Sequence, residues 1–214
     1  MAVRARENPF RVDRTDALRF RFSKGTWSSQ LGRLMELKFR AAIVGPQGSG
    51  KSTLLAELAE HFCAAGVKPV ICRATADRDA NAEMIARLTK SLFPSTVILL
   101  DSAEKLSRMA WWRLLWQTKK RVGLVVTVHR PCALPTWIRC DPSWELLRTL
   151  LNELDFRDDR DPIIAAAQCK YIVHRGNIRE VFRELFDDVA DGRLSGQGNS
   201  IASRRNRSSN FQIV

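Results

Sequence analysis

The residues best equipped for chemistry lie together in Gly45-Pro46-Gln47-Gly48-Ser49-Gly50-Lys51-Ser52. This stretch meets the phosphate-binding pattern G-x-x-x-x-G-K-[S/T] at every fixed position. Gly45, Gly48 and Gly50 allow a tight turn and let several backbone N–H groups converge on one anion without a Cβ in the way. A helix N-terminus behind the loop adds roughly half a positive charge. Lys51 is a point charge for the β and γ phosphates, and the Ser52 hydroxyl is an oxygen donor suited to Mg²⁺. The expected nucleotide-binding set is Gly45, Pro46, Gln47, Gly48, Ser49, Gly50, Lys51, Ser52 and Thr53, with Pro46 and Gln47 as free positions.

A second landmark is Val97-Ile98-Leu99-Leu100-Asp101. Four apolar residues ending in a carboxylate describe a buried parallel strand that presents Asp101 at its C-terminal end, where ligands of such sheets bind. Next to a phosphate loop, Ser52 and Asp101 are the expected Mg²⁺ set. The position after Asp101 is Ser102, where the commonest hydrolase pattern has a glutamate. Glu104 either orients the attacking water from the first turn beyond the strand or only favours that turn's positive dipole end. Thr127, His129 and Arg130 end another apolar run, Gly123 to Pro131, and emerge beside Asp101 if the strands are parallel.

The elements needed to hold these groups are legible in the periodicity. Phe39 to Val44 reads as a short buried strand entering the loop, and Ser52 to Phe62 as a helix leaving it, stopped by Gly66. Thr26 to Leu37 reads as a capped helix with Trp27, Leu31, Leu34 and Met35 on one face. Val67 to Cys72 is a strand whose Pro69 marks a strand start or an edge. Met84, Ile85 and Leu88 mark a helix ended by Pro94. Met109, Trp111, Trp112, Leu114, Leu115 and Trp116 crowd the next helix, most simply as core, although three Trp exceed what one buried face needs. Thr136 to Cys140 is a short edge strand. Asp141-Pro142, Asp161-Pro162 and Asn177 to Glu180 then start three helices. The alternation predicts α/β: a three-layer fold around a parallel sheet.

Composition sets bounds on partners and location. The net charge of +12 is concentrated at the ends: residues 1–40 hold ten Lys and Arg against four acids, and residues 192–214 hold four against none. Basic ends can follow nucleic-acid phosphates. The five cysteines form no C-x-x-C pair and read as reduced core residues. The charged opening Met1 to Glu7 lacks the apolar core of a secretory signal, and no run approaches the roughly 20 residues that span a bilayer. A soluble, cytoplasmic chain without a membrane span is expected.

With these residues in place, residues 8–190 resemble the AAA+ and STAND branch of P-loop ATPases. Gly45 to Ser52 is similar to its Walker A motif, Val97 to Asp101 to its Walker B motif, and Thr127 to Arg130 to its sensor-1 strand end. Gly176 to Glu180 resembles the sensor-2 turn, which implies that Arg179 reaches the γ-phosphate from a helical lid. Asn8-Pro9-Phe10 resembles the lead-in of secretion and transposition-helper ATPases. The resemblance implies an ASCE-type P-loop NTPase sheet followed by a small C-terminal helical lid. The expected segments are a basic lead-in at 1–25, the nucleotide-binding α/β domain at 26–140, the lid at 141–190 and a disordered basic tail at 191–214. The implied ligands are ATP and Mg²⁺, with Lys51, Asp101, Glu104, Arg130 and Arg179 as catalytic candidates in a nucleotide-driven switch with a protein partner. A small-molecule or nucleotide kinase is the alternative, as is a nucleic-acid-associated ATPase using its basic ends. No N-K-x-D guanine motif is present, which disfavours a GTPase.

Overall fold

The computed structural model describes residues 7–90, 93, 96–119, 122–156 and 160–194. Five strands, β1 (Arg40–Val44), β2 (Val70–Arg73), β3 (Val97–Asp101), β4 (Gly123–Val128) and β5 (Thr136–Arg139), form one sheet in the order β2-β3-β4-β1-β5. Every pairing is parallel. The central strands β1, β3 and β4 are buried nearly throughout, as their unbroken apolar runs require, whereas β2 is an exposed edge with Pro69 just ahead of it.

Side chains alternate across the sheet and so build two separate cores. Ala41, Ile43, Leu99 and Val125 face α2 (Trp27–Glu36) and α3 (Lys51–Ala64), meeting Leu34, Leu54, Leu58 and Phe62. Ala42, Val44, Ile98, Leu100, Leu124 and Val126 form the opposite core, with Leu114 of α5 (Arg108–Gln117), and Met84 of α4 (Arg78–Lys90) packs against it. The result is the expected three layers. Arg40 ties β1 to the end of α5: its Nη1 donates to Thr118 O at 2.6 Å and to Val122 O at 3.2 Å. Burial lowers the Arg40 pKa, but a guanidinium stays charged and suits a helix C-terminus.

A third core lies in the C-terminal bundle of α6 (Trp144–Glu153), α7 (Arg160–Val173) and α8 (Ile178–Ala190). Phe10 enters this core, 5.6 Å from the Phe156 ring and 5.9 Å from Phe182. The buried Asn8 fixes it there, donating from Nδ2 to Phe186 O at 2.8 Å and accepting from Phe10 N at 3.0 Å.

Several details differ from the sequence reading. The lead-in is not wholly irregular, since Val12–Asp16 form the short helix α1. Ser143, not Asp141, caps α6, because its side chain accepts from Leu146 N and Pro142 falls outside the helix. Helix α7 begins at Arg160, which puts Pro162 within the first turn, where its missing N–H costs nothing. Asn177 does cap α8, accepting from Glu180 N. Met35 is exposed, as are Met109, Trp112 and Trp116, so α5 buries Leu114 and shows its widest aromatics to solvent. Cys63 and Cys169 are also exposed, against the expectation that the cysteines are core. Pro94, Lys120 and Arg121 lie outside the described residues, as do residues 1–6 and 195–214 of the basic ends. No helix among the described residues is long and apolar enough to cross a membrane.

Candidate functional site

The loop between β1 and α3 is held by its own side chains. Ser49 Oγ and Lys51 Nζ both donate to Pro46 O, at 2.8 and 2.6 Å, so Pro46, a free position by pattern, supplies the acceptor that closes the turn. Gly45 is glycine for space: a Cβ there would stand 2.4 Å from Cys140 O. Gly48 has φ +73°, and a Cβ would reach 1.8 Å from Asn177 Oδ1, so the loop lies directly against the capped start of α8. Gln47 is exposed at the loop tip, and Thr53 is half-buried in the first turn of α3.

Lys51 is 7% exposed. Burial lowers its pKa and Arg179 adds to that, while Glu104, Cys140 and Asp101 oppose it. Glu104, Asp101 and Arg179 are thus formal charges that act on the Lys51 ammonium. Arg179 is itself exposed, and among the described residues its side chain has no hydrogen bond or ion pair.

Asp101, 7% exposed, collects donors from two strands and a helix. Ser52 Oγ lies 3.0 Å from Oδ1 and 3.2 Å from Oδ2. Thr127 Oγ1 donates to Oδ1 at 2.6 Å and accepts from Ser102 N at 2.7 Å. Arg73, at the end of β2, donates to Oδ2 from Nε at 2.8 Å. Burial pushes the Asp101 pKa up, but the bonds from Thr127, Arg73 and Ser52 outweigh it and hold the carboxyl below its usual range.

Ser102 turns left-handed at φ +61° and sends the chain into a single 3-10 turn, Ala103–Lys105. Glu104 in that turn lies 3.4 Å, Oε1 to Nε2, from His129 at the end of β4. Thr127 and His129 therefore both reach the site's surroundings: Thr127 buttresses Asp101, and His129 faces Glu104. Arg130 is exposed, and no described hydrogen bond or ion pair brings its side chain to this group.

Arg73 escaped the sequence reading. Its signal was there, an apolar run ending in a charge, as in β3, but its meaning depends on the register that sets Arg73 opposite Asp101. Phe20 is a second omission. Its ring lies 3.4 Å from where a Cβ on Gly50 would stand, and its N–H donates to Glu57 Oε1 of α3.

Neither protein-family models nor curated proteins match the sequence. Among solved structures, the chain is similar to the RuvB Holliday junction branch migration motor of Thermotoga maritima, with 14% identity, 76% of this chain and 69% of that one covered, and a TM-score of 0.45. A RuvB mutant from the same organism gives 13% identity, coverages of 76% and 69%, and a TM-score of 0.44. PCH-2 of C. elegans gives 16% identity, coverages of 78% and 67%, and 0.40. The all-parallel order β2-β3-β4-β1-β5, with β4 inserted between the strand that enters the glycine loop and the strand that ends in Asp101, gives this chain the expected three-layer α/β fold around a parallel sheet.

Proposed function

We propose that this chain binds Mg-ATP and hydrolyses it as an AAA+/STAND-type ATPase that works as a nucleotide-driven switch. The observation that carries the reading is the approach of Ser52 Oγ to Asp101 Oδ1, 3.0 Å apart, at the mouth of a glycine loop that rests on its own lysine. The loop's N–H groups and the α3 N-terminus bind phosphate oxygens. Lys51 leaves Pro46 O and adds its charge to the β and γ phosphates. Ser52 and Asp101 are oxygen ligands for Mg²⁺, and the depressed Asp101 pKa keeps that carboxylate charged. A Mg²⁺ held by these two residues would offset the charge that develops on the phosphate oxygens. Glu104 takes the proton of the attacking water at its carboxylate, with His129 orienting it.

Arg179 belongs to the switch. It stands two residues beyond Asn177, which touches the loop at Gly48, so a γ-phosphate contact through Arg179 biases how α6 to α8 sit as a lid. A cytoplasmic location and a protein or nucleic-acid partner belong to the same proposal.

The test is ATP binding and steady-state hydrolysis in Mg²⁺ by wild type, Lys51→Ala and Glu104→Gln, with and without DNA. Wild type binds and turns over, Lys51→Ala loses binding, and Glu104→Gln binds but cleaves on the order of a hundredfold more slowly. Equal ATP binding by wild type and Lys51→Ala sinks the reading. Transfer of γ-phosphate to an acceptor other than water replaces it with a kinase.

A further inference from the structure

Arg73 brings a cation to the carboxylate that the proposed Mg²⁺ site requires. Its Nε and Nη2 both lie 2.8 Å from Asp101 Oδ2, while Oδ1 takes the Thr127 and Ser52 hydroxyls. Both oxygens are thus engaged before any metal arrives. The two ends of this ion pair differ sharply: the Asp101 side chain is 9% exposed and that of Arg73 is 64% exposed. Arg73 comes from the last residue of an edge strand, in register with Asp101. Among the described residues its side chain makes no other hydrogen bond or ion pair.

We infer that Arg73 is a tethered competitor for the divalent cation, which keeps the Ser52–Asp101 site closed to metal alone and yields when nucleotide phosphates arrive. The inference rests on the reading of Ser52 and Asp101 as metal ligands. A guanidinium cannot escape this contact by losing its proton, so it competes at any physiological pH. It can, however, exchange one anion for another, because its planar fork matches phosphate as well as carboxylate. Nucleotide phosphates at the loop offer that second anion. Arg73 then passes from Asp101 to phosphate, the carboxylate is freed for the metal, and metal and nucleotide favour each other's binding. By linkage the same factor must appear in both directions.

The experiment measures binding of Mn²⁺, the paramagnetic stand-in for Mg²⁺, by the electron-spin signal of the free ion. It compares wild type, Arg73→Ala and Arg73→Gln, each with and without ADP, with thermal melts to verify folding. Without nucleotide, both variants bind Mn²⁺ roughly tenfold or more tightly than wild type, as expected when a competing charge is removed from direct contact with the carboxylate. The tightening of Mn²⁺ by ADP, large in wild type, shrinks in both. Arg73→Gln keeps most of the side chain's length, so it decides the matter if Arg73→Ala folds poorly. Equal Mn²⁺ affinity in wild type and Arg73→Gln without nucleotide overturns the inference. Asp101→Asn, measured with ADP present, separates the two levels: if it leaves the ADP-dependent Mn²⁺ binding unchanged, the metal-site reading itself fails, and the Arg73 inference with it.

Discussion

At Asp101 burial and hydrogen bonding pull in opposite directions, and hydrogen bonding wins. The group's folded pKa lies below its unfolded value, so its contribution to stability is fully present above the ordinary carboxylate range and is lost as the pH falls through the depressed value. Thr127 gives the shortest of these bonds, at 2.6 Å. Thr127→Val keeps the shape and removes the donor. It should cost about 1.5–3 kcal/mol at neutral pH, the worth of a bond to a charged group. Because the carboxyl then titrates closer to its ordinary value, the acid limb of an unfolding-versus-pH curve should move to higher pH. A curve that falls by the same amount at every pH would argue that Thr127 is only packing. At this scale the sequence was half legible. Gly45 to Ser52 and Asp101 could be read because the chemistry demands those types at those spacings. Arg73 and the real partner of Thr127 could not, because each is defined by a neighbour on another strand: 28 residues away for Arg73 and 26 for Thr127.

Among the elements, the strands were read best, since β1, β3 and β4 are apolar on both faces and the sheet covers them on both. Helix α5 was read least well. Three tryptophans and three other large apolar groups gave no single stripe, and periodicity alone could not say which of them the sheet would take. The sheet takes Leu114, fully buried, and leaves Trp116 78% exposed. Leu114→Ala should therefore cost about 2–5 kcal/mol in urea unfolding. Trp116→Ala, although it deletes far more surface, should stay within about 0.5 kcal/mol of wild type. The reverse ranking would mean that α5 is turned over in solution. Helix α8 lay between these cases. Its apolar stripe and Asn177 cap were plain, but its contact with the glycine loop depends on Gly48 having no Cβ, which only the assembled fold displays.

Over the whole molecule, the lead-in works as a strap between two bodies of structure. Phe10 is packed in the bundle, Phe20 lies at Gly50 beside the loop, and Arg21 pairs with Glu153 at 2.6 Å. Phe10→Ala should cost about 3–5 kcal/mol, as for a buried aromatic. It should also expose the arginines at 11 and 14 to trypsin well before the sheet is attacked. If cleavage there stays as slow as in wild type, Asn8 alone holds the strap. The cysteines add a graded response to this architecture. Burial pushes the Cys140 thiol up to about 12, and its backbone presses on Gly45, whereas Cys63 and Cys169 stand in solvent. Alkylating reagents will therefore modify those two at once and reach Cys140 only in the moments when β5 parts from the glycine loop. The chain carries its own chemical clock for the opening of its most guarded corner.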